Sequence, residues 1–157
     1  MRRIFLFTVI ALVFSMTTSC SQKKVEFSLT DFWEKVDKEL VQQGKTTSMK
    51  EMSQSEIDTL YNIDPELIKN SIFLTATNPE IEASEIVLIK TTGSTALTSV
   101  QQSIGTRQQN KYSQWENGIA EQFAIVKDYR IYTQDNYILY VVSPAADNIK
   151  EIYKSFF

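Results

Sequence analysis

Histidine is absent from all 157 residues, and cysteine occurs once, at Cys20. Without histidine there are no Ser-His or Cys-His nucleophile pairs, no His-x-x-x-His zinc sites and no usual proton shuttle near neutral pH. Most hydrolase mechanisms thereby lose their base. A lone cysteine excludes an intramolecular disulfide, so the chain is not a small cysteine-stapled scaffold and must bury a core large enough to stand alone. A Ser-x-x-Lys nucleophile also lacks a convincing setting, because "SQKK" follows Cys20 directly and "SMK" has the wrong spacing. There is no Asp-x-Asp-x-Asp-Gly calcium loop, no Lys/Arg-rich block, no internal repeat and no low-complexity tract. These absences leave one domain of roughly 130 residues with no electrostatic reason to seek nucleic acid.

The N-terminus carries the most specific signal. Arg2 and Arg3 form a short cationic region, Ile4 to Met16 an almost wholly apolar run, and Thr17, Thr18 and Ser19 a small-residue stretch, which is the order of an export signal. A permanent span needs about 20 apolar residues to cross about 30 Å of hydrocarbon, and this run is interrupted by Thr8 and Ser15. Cys20 follows the small residues immediately. The segment resembles the lipobox of bacterial lipoproteins, although Thr17 stands where leucine is usual. The resemblance implies that the Cys20 thiol is acylated and that cleavage leaves it as the new N-terminus. A buried core cysteine is the plainer alternative, but such a residue has no reason to sit at the end of an apolar leader.

The expected organisation is a signal peptide over 1–19, a lipidated tether over 20–27 and a single domain over 28–157. Loss of Arg2 and Arg3 with the leader takes the basic total from 16 to 14 against 19 acids, a formal charge of −5. The tether "SQKKVEF" reaches roughly 25 Å when extended, so the domain is expected close to the extracytoplasmic face of a bacterial membrane.

Local signals then outline an α+β domain. "SLTDFWEKVDKELVQQG" reads as a helix, with Ser28 and Asp31 at capping-box spacing, an apolar stripe through Leu29, Phe32, Trp33, Val36 and Leu40, and Gly44 as C-terminal cap. A polar segment, "KTTSMKEM", precedes a short helix in "SQSEIDTLYNI", where Ser53 and Glu56 repeat the capping-box spacing. Asp64 and Pro65 start a short helical connector. "SIFLTAT" and "SEIVLIKTT" read as two strands joined by the acidic loop "NPEIEA". Ser94 is expected to cap a long helix running toward Trp115, with the very polar Arg107 to Lys111 stretch projecting into solvent. "FAIVKDYRIY" and "YILYVVS" read as a hairpin over "TQDN". "SPAADNIKEIYKSFF" reads as a closing helix capped by Ser143, with Pro144 in first position and a stripe of Ile149, Ile152, Tyr153 and Phe156. The expected fold is an antiparallel or mixed sheet of about four strands, preceded by N-terminal helices, with helices mainly on one face.

"ASEIVLIK", the polar long helix after it, and "NYILYVVSPAADNIKEIYKSFF" together resemble the domain-of-unknown-function 4358 family of small bacterial lipoproteins, found mostly in Firmicutes. The similarity extends from about Leu29 to the end, and its most specific element is the strand-to-helix join from Tyr137 to Ile149. There Ala145 replaces the first acid of the family's Ser-Pro-Asp-Ala-Asp-like turn. The resemblance implies a membrane-anchored envelope domain and carries no assigned activity.

Two sets of residues remain as candidate sites. Glu80, Glu82 and Glu85 cluster around Pro79 and are candidates to hold a hard cation or to act as an acid and base pair, against the plainer reading of a solvated acidic hairpin. Arg130, Tyr132, Tyr137 and Tyr140 flank the final hairpin and are candidates for a stacking or peptide-binding face, against the plainer reading of half-buried packing. No cofactor is implied. The expected function is a lipid-anchored envelope protein with a non-enzymatic binding or accessory role toward an envelope protein or wall partner. The alternative is a histidine-free or metal-dependent hydrolase of an envelope polymer. Mass spectrometry of the native protein should find a chain that starts at acylated Cys20; an intact leader or an unmodified thiol would remove the membrane placement.

Overall fold

Residues in the two apolar stretches after Asp64 alternate between two buried faces, and this sets the middle of the molecule. The computed structural model describes residues 27–157; the leader, Cys20 and the tether up to residue 26 lie outside the described residues. Strands β2 (Ile68–Ala76) and β3 (Glu85–Thr91) pair antiparallel, with Thr75 opposite Glu85 and Ile72 opposite Leu88. β3 is covered on both sides. Ile86 and Leu88 point into one core, Val87 and Ile89 into another, which is why this strand lacks the polar alternation of a half-exposed one.

The sheet has five strands in the order β1-β2-β3-β5-β4, all neighbours antiparallel. β5 (Tyr137–Val142) is wholly buried beside β3, and β4 (Arg130–Gln134) forms the far edge through a turn at Asp135, whose φ is +52°. The opposite edge is β1 (Met49–Glu51), which lies within the stretch read from sequence as a polar segment. Three residues with a single half-buried side chain carry too little periodicity to read as a strand; pairing with β2 supplies the order.

Helices cover both faces rather than mainly one. On the first face, α1 (Leu29–Val36), the π-helical turn Asp37–Val41 that continues it, and α5 (Ala146–Lys154) pack Phe32, Val36, Leu40, Ile149 and Tyr153 against Leu74, Ile86, Leu88, Leu139 and Val141. On the second, α2 (Gln54–Tyr61), α3 (Ser94–Trp115) and α4 (Ala120–Lys127) bring Tyr61, Val100, Ile104, Trp115 and Val126 onto Phe73, Val87, Ile89, Ile138 and Tyr140. Among the described residues no helix is long and apolar enough to cross a membrane.

Several boundaries follow the local chemistry. The Ser28 hydroxyl accepts from the Asp31 amide, and Gly44, at φ +66°, ends the first helical stretch in the left-handed region that a side chain disfavours. Ser53 and Glu56 form a reciprocal capping box, with Ser53 N donating to Glu56 Oε2 at 2.7 Å and Glu56 N to Ser53 Oγ at 3.3 Å. Asp64 caps the 3-10 turn Pro65–Leu67. Three expectations move. Gly93, not Ser94, is the cap of α3, and Ser94 is its first residue. The run "FAIVK" is helical in α4 and the hairpin begins only at Arg130; a short apolar run lacks the periodicity to separate a buried helix from a strand. α5 begins at Ala146, because Ser143 Oγ accepts from Ala145 N at 3.1 Å and shares a hydrogen bond of 2.8 Å with Thr46 Oγ1, holding Ser143–Ala145 as a turn.

Phe32 is fully buried between α5 and the sheet, so Phe32→Ala should lower unfolding free energy by about 3–5 kcal/mol in urea titrations. Ser53→Ala should cost about 1 kcal/mol by loss of one helix cap.

Candidate functional site

Glu85 is the first residue of β3 and shares a face with Val87 and Ile89, the face that α3 crosses. On α3 the buried residues run Val100, Ile104, Arg107, Gln108, Lys111 and Trp115, spacings of three and four that define one helix face. Arg107, Gln108 and Lys111 thus continue an apolar stripe inward. The expectation that the polar Arg107 to Lys111 stretch projects into solvent fails for this reason. Arg107 is 6% exposed, Lys111 4% and Glu85 0%.

The three charges meet. Arg107 Nε donates to Glu85 Oε1 at 2.9 Å and Nη2 to Oε2 at 2.6 Å, a two-point grip, while Lys111 Nζ donates to Oε2 at 2.7 Å. The Tyr61 hydroxyl, from the end of α2, donates to Oε1, and the Arg107 guanidinium lies 5.9 Å from the Tyr61 ring centroid. A second chain of bonds adjoins it: Tyr140 donates to Gln108 Oε1 at 2.7 Å, and Gln108 Nε2 donates to the Val126 carbonyl at 2.9 Å, tying β5, α3 and α4 together.

The electrostatics follow from this geometry. Burial by itself would raise the pKa of Glu85; the charge of Lys111 and the hydrogen bonds and charge of Arg107 outweigh it and hold the carboxyl down at about 2. Burial pushes Lys111 below its ordinary value, with Glu85 opposing and Arg107 adding to the push. Burial and the neighbouring carboxylate both raise Tyr61, and the same two causes raise Tyr140, so both phenols stay protonated. One carboxylate faces two cations, which leaves the cluster with one excess positive charge.

Arg107 and Lys111 form part of the wall of a pocket of about 370 Å³, together with Thr75, Trp115 and, nearer solvent, Glu56 and Glu80. The acidic candidates therefore separate. Glu80 is exposed at this pocket, Glu82 lines a different one with Glu121 and Gln122, and Glu85 is in the core. The solvated-hairpin reading fails for Glu85, whose side chain belongs to the α3 face of the sheet. Among the described residues no group of three acidic side chains is placed to hold a metal ion.

The candidate binding face also divides. Tyr132 packs with the α5 core beneath Lys150, whose Nζ is 5.1 Å from its ring, and Tyr137 is buried in the same core. Tyr140 points to the α3 side. Arg130 is bonded to Asp128 at 2.7 Å and lies 3.7 Å from Asp147. Strand alternation puts Arg130, Tyr132 and Tyr137 on the α5 face and Tyr140 on the other, so the four do not make one surface.

Fold and site together define an α+β domain built on a buried carboxylate with two cations and an adjoining pocket. The chain matches the family described as Domain of unknown function (DUF4358) over residues 42–143, well over half its length, and belongs to that family. The matched region contains β1 to β5, α2 to α4 and every member of the Glu85 cluster; it ends at Ser143, the first residue of the turn that leads into α5. No curated protein and no solved structure matches the chain.

The folded pKa of Glu85 is depressed from 4.5 to about 2, so the unfolded chain takes up the proton first as pH falls. The cluster's stabilisation is complete above about pH 4.5 and lost as pH falls through about 2. Urea midpoints should decline across that window, and less steeply in Glu85→Gln. At neutral pH Glu85→Gln, which strands two buried cations, should lose about 3–5 kcal/mol, and Lys111→Met, which leaves the neutral Arg107–Glu85 pair, should lose less.

Proposed function

We propose that this protein is a lipid-anchored protein of the bacterial cell envelope, held through acylated Cys20 on the extracytoplasmic face, and that its role is binding rather than catalysis. The anchor rests on the leader, the small residues before Cys20 and the absence of any other cysteine. The binding role rests on one observation: a fully buried ionic cluster borders a pocket, and its carboxylate is held ionised by two cations down to a pKa of about 2. A carboxylate so neutralised is a poor proton donor or acceptor near pH 7, and it serves instead to position Arg107 and Lys111. The hydrolase alternative, which relied on Glu80, Glu82 and Glu85 acting together, has less support because those side chains line separate places.

Proximity crosslinking in intact cells tests the reading. The full chain should recover the same envelope neighbours reproducibly, and Cys20→Ser should lose them together with the lipid mass; an acylated protein without reproducible neighbours would overturn the binding role.

A further inference from the structure

We propose that the pocket beside α3 takes a small zwitterion, a free amino acid or short peptide, whose carboxylate is received by Arg107 and Lys111 and whose ammonium lies toward Glu80. This deepens the binding reading above and rests on it. Four features of the cluster and pocket carry the inference.

The first is charge. Glu85 neutralises one of two cations that are themselves almost wholly buried, so one positive charge is left uncompensated in the pocket wall. Both cations are paired with Glu85, but a net buried charge is unfavourable, and a carboxylate arriving from the pocket would balance it. The second is donor geometry. Glu85 occupies Nε and Nη2 of Arg107, and among the described residues Nη1 has no hydrogen-bond acceptor. Lys111 spends one of its three N–H groups on Glu85. These two groups, one helical turn apart on α3, are held in place by Glu85 and Tyr61 before any ligand arrives.

The third feature is the rim. Glu56 and Glu80 line the same pocket nearer solvent. Glu56 is committed to capping α2, whereas Glu80 is exposed, so the pocket grades from a cationic floor to an acid at its mouth. That gradient matches a carboxylate and an ammonium on one molecule, and it repels a phosphate dianion, whose second charge would meet the acids with only one excess cation beneath it. The fourth is size. About 370 Å³ lies at the small end of ligand sites and suits an amino acid or dipeptide.

Trp115 lines the pocket and Trp33 lies against the other core, so Trp33→Phe leaves a fluorescence signal specific to the site. The full chain carrying that change, in detergent, would be titrated at low salt with alanylalanine, with alaninamide as a probe lacking a carboxylate, with acetate as a probe lacking an ammonium, and with inorganic phosphate. Alanylalanine should give a saturable change. Alaninamide should bind at least about tenfold more weakly. Lys111→Met should weaken alanylalanine at least about tenfold while circular dichroism remains native. Glu80→Gln, a surface change, should weaken alanylalanine without weakening acetate. Phosphate binding tighter than alanylalanine, equal binding of alaninamide, or no saturable change with any probe in a folded protein would overturn the inference. Reproducible envelope neighbours obtained alongside such a result would leave the anchored binding protein standing and remove only the zwitterion site.

Discussion

Glu85 cannot be deeply buried as a carboxylate unless positive charge is brought to it, and that requirement organises one half of the domain. The carboxylate is at the start of the central strand, beneath the long helix α3, where water does not reach it. Arg107 and Lys111 must then occupy one face of α3 at the height of Glu85, which fixes both the rotation of the helix about its axis and its position along the sheet. A well-packed apolar core would hold the helix with comparable strength, since the desolvation of three charges offsets much of their attraction. The ionic contact supplies a unique register, because sliding α3 by one turn would strand buried charges.

Among the described residues, the other half of the domain has no such cluster. Between the sheet, α1 and α5 the contacts are apolar and largely aromatic, with Phe27 within 4.8–5.2 Å, centroid to centroid, of Tyr137, Phe156 and Phe157. Phe27 is the first described residue, and it is buried in this group. Phe27, just before α1, is thus packed against the residues that follow α5. The candidate ligand pocket lies on the opposite side of the sheet from this aromatic core, with the shared strands β2, β3 and β5 between them.

Much of the architecture was legible because local chemistry and tertiary packing agreed. The capping box at Ser53 and Glu56, the left-handed stop at Gly44 and the dense apolar strands β2, β3 and β5 each specify themselves within a few residues. Where the two disagreed, the reading drifted. β1 has three residues and is ordered by its neighbour; α4 contains an apolar run that suits helix or strand. The site was misjudged because Arg107 and Lys111 were read by residue type. Their spacing, which carries the stripe of Val100 and Ile104 on to Trp115, was the available signal that they face inward.

The sequence by itself determined an α+β domain, the caps at Ser28, Ser53 and Asp64, the absence of histidine chemistry and membership of a family whose pattern spans residues 42–143. Those properties depend on neighbours within a turn or two, or on composition. Only the tertiary structure decided that Glu85, 22 and 26 residues before its partners, is an internal charge rather than a loop acid. A carboxylate's environment is set by whatever the fold brings against it, and no local pattern in "ASEIVLIK" distinguishes a glutamate at the end of a strand that meets water from one that meets a helix.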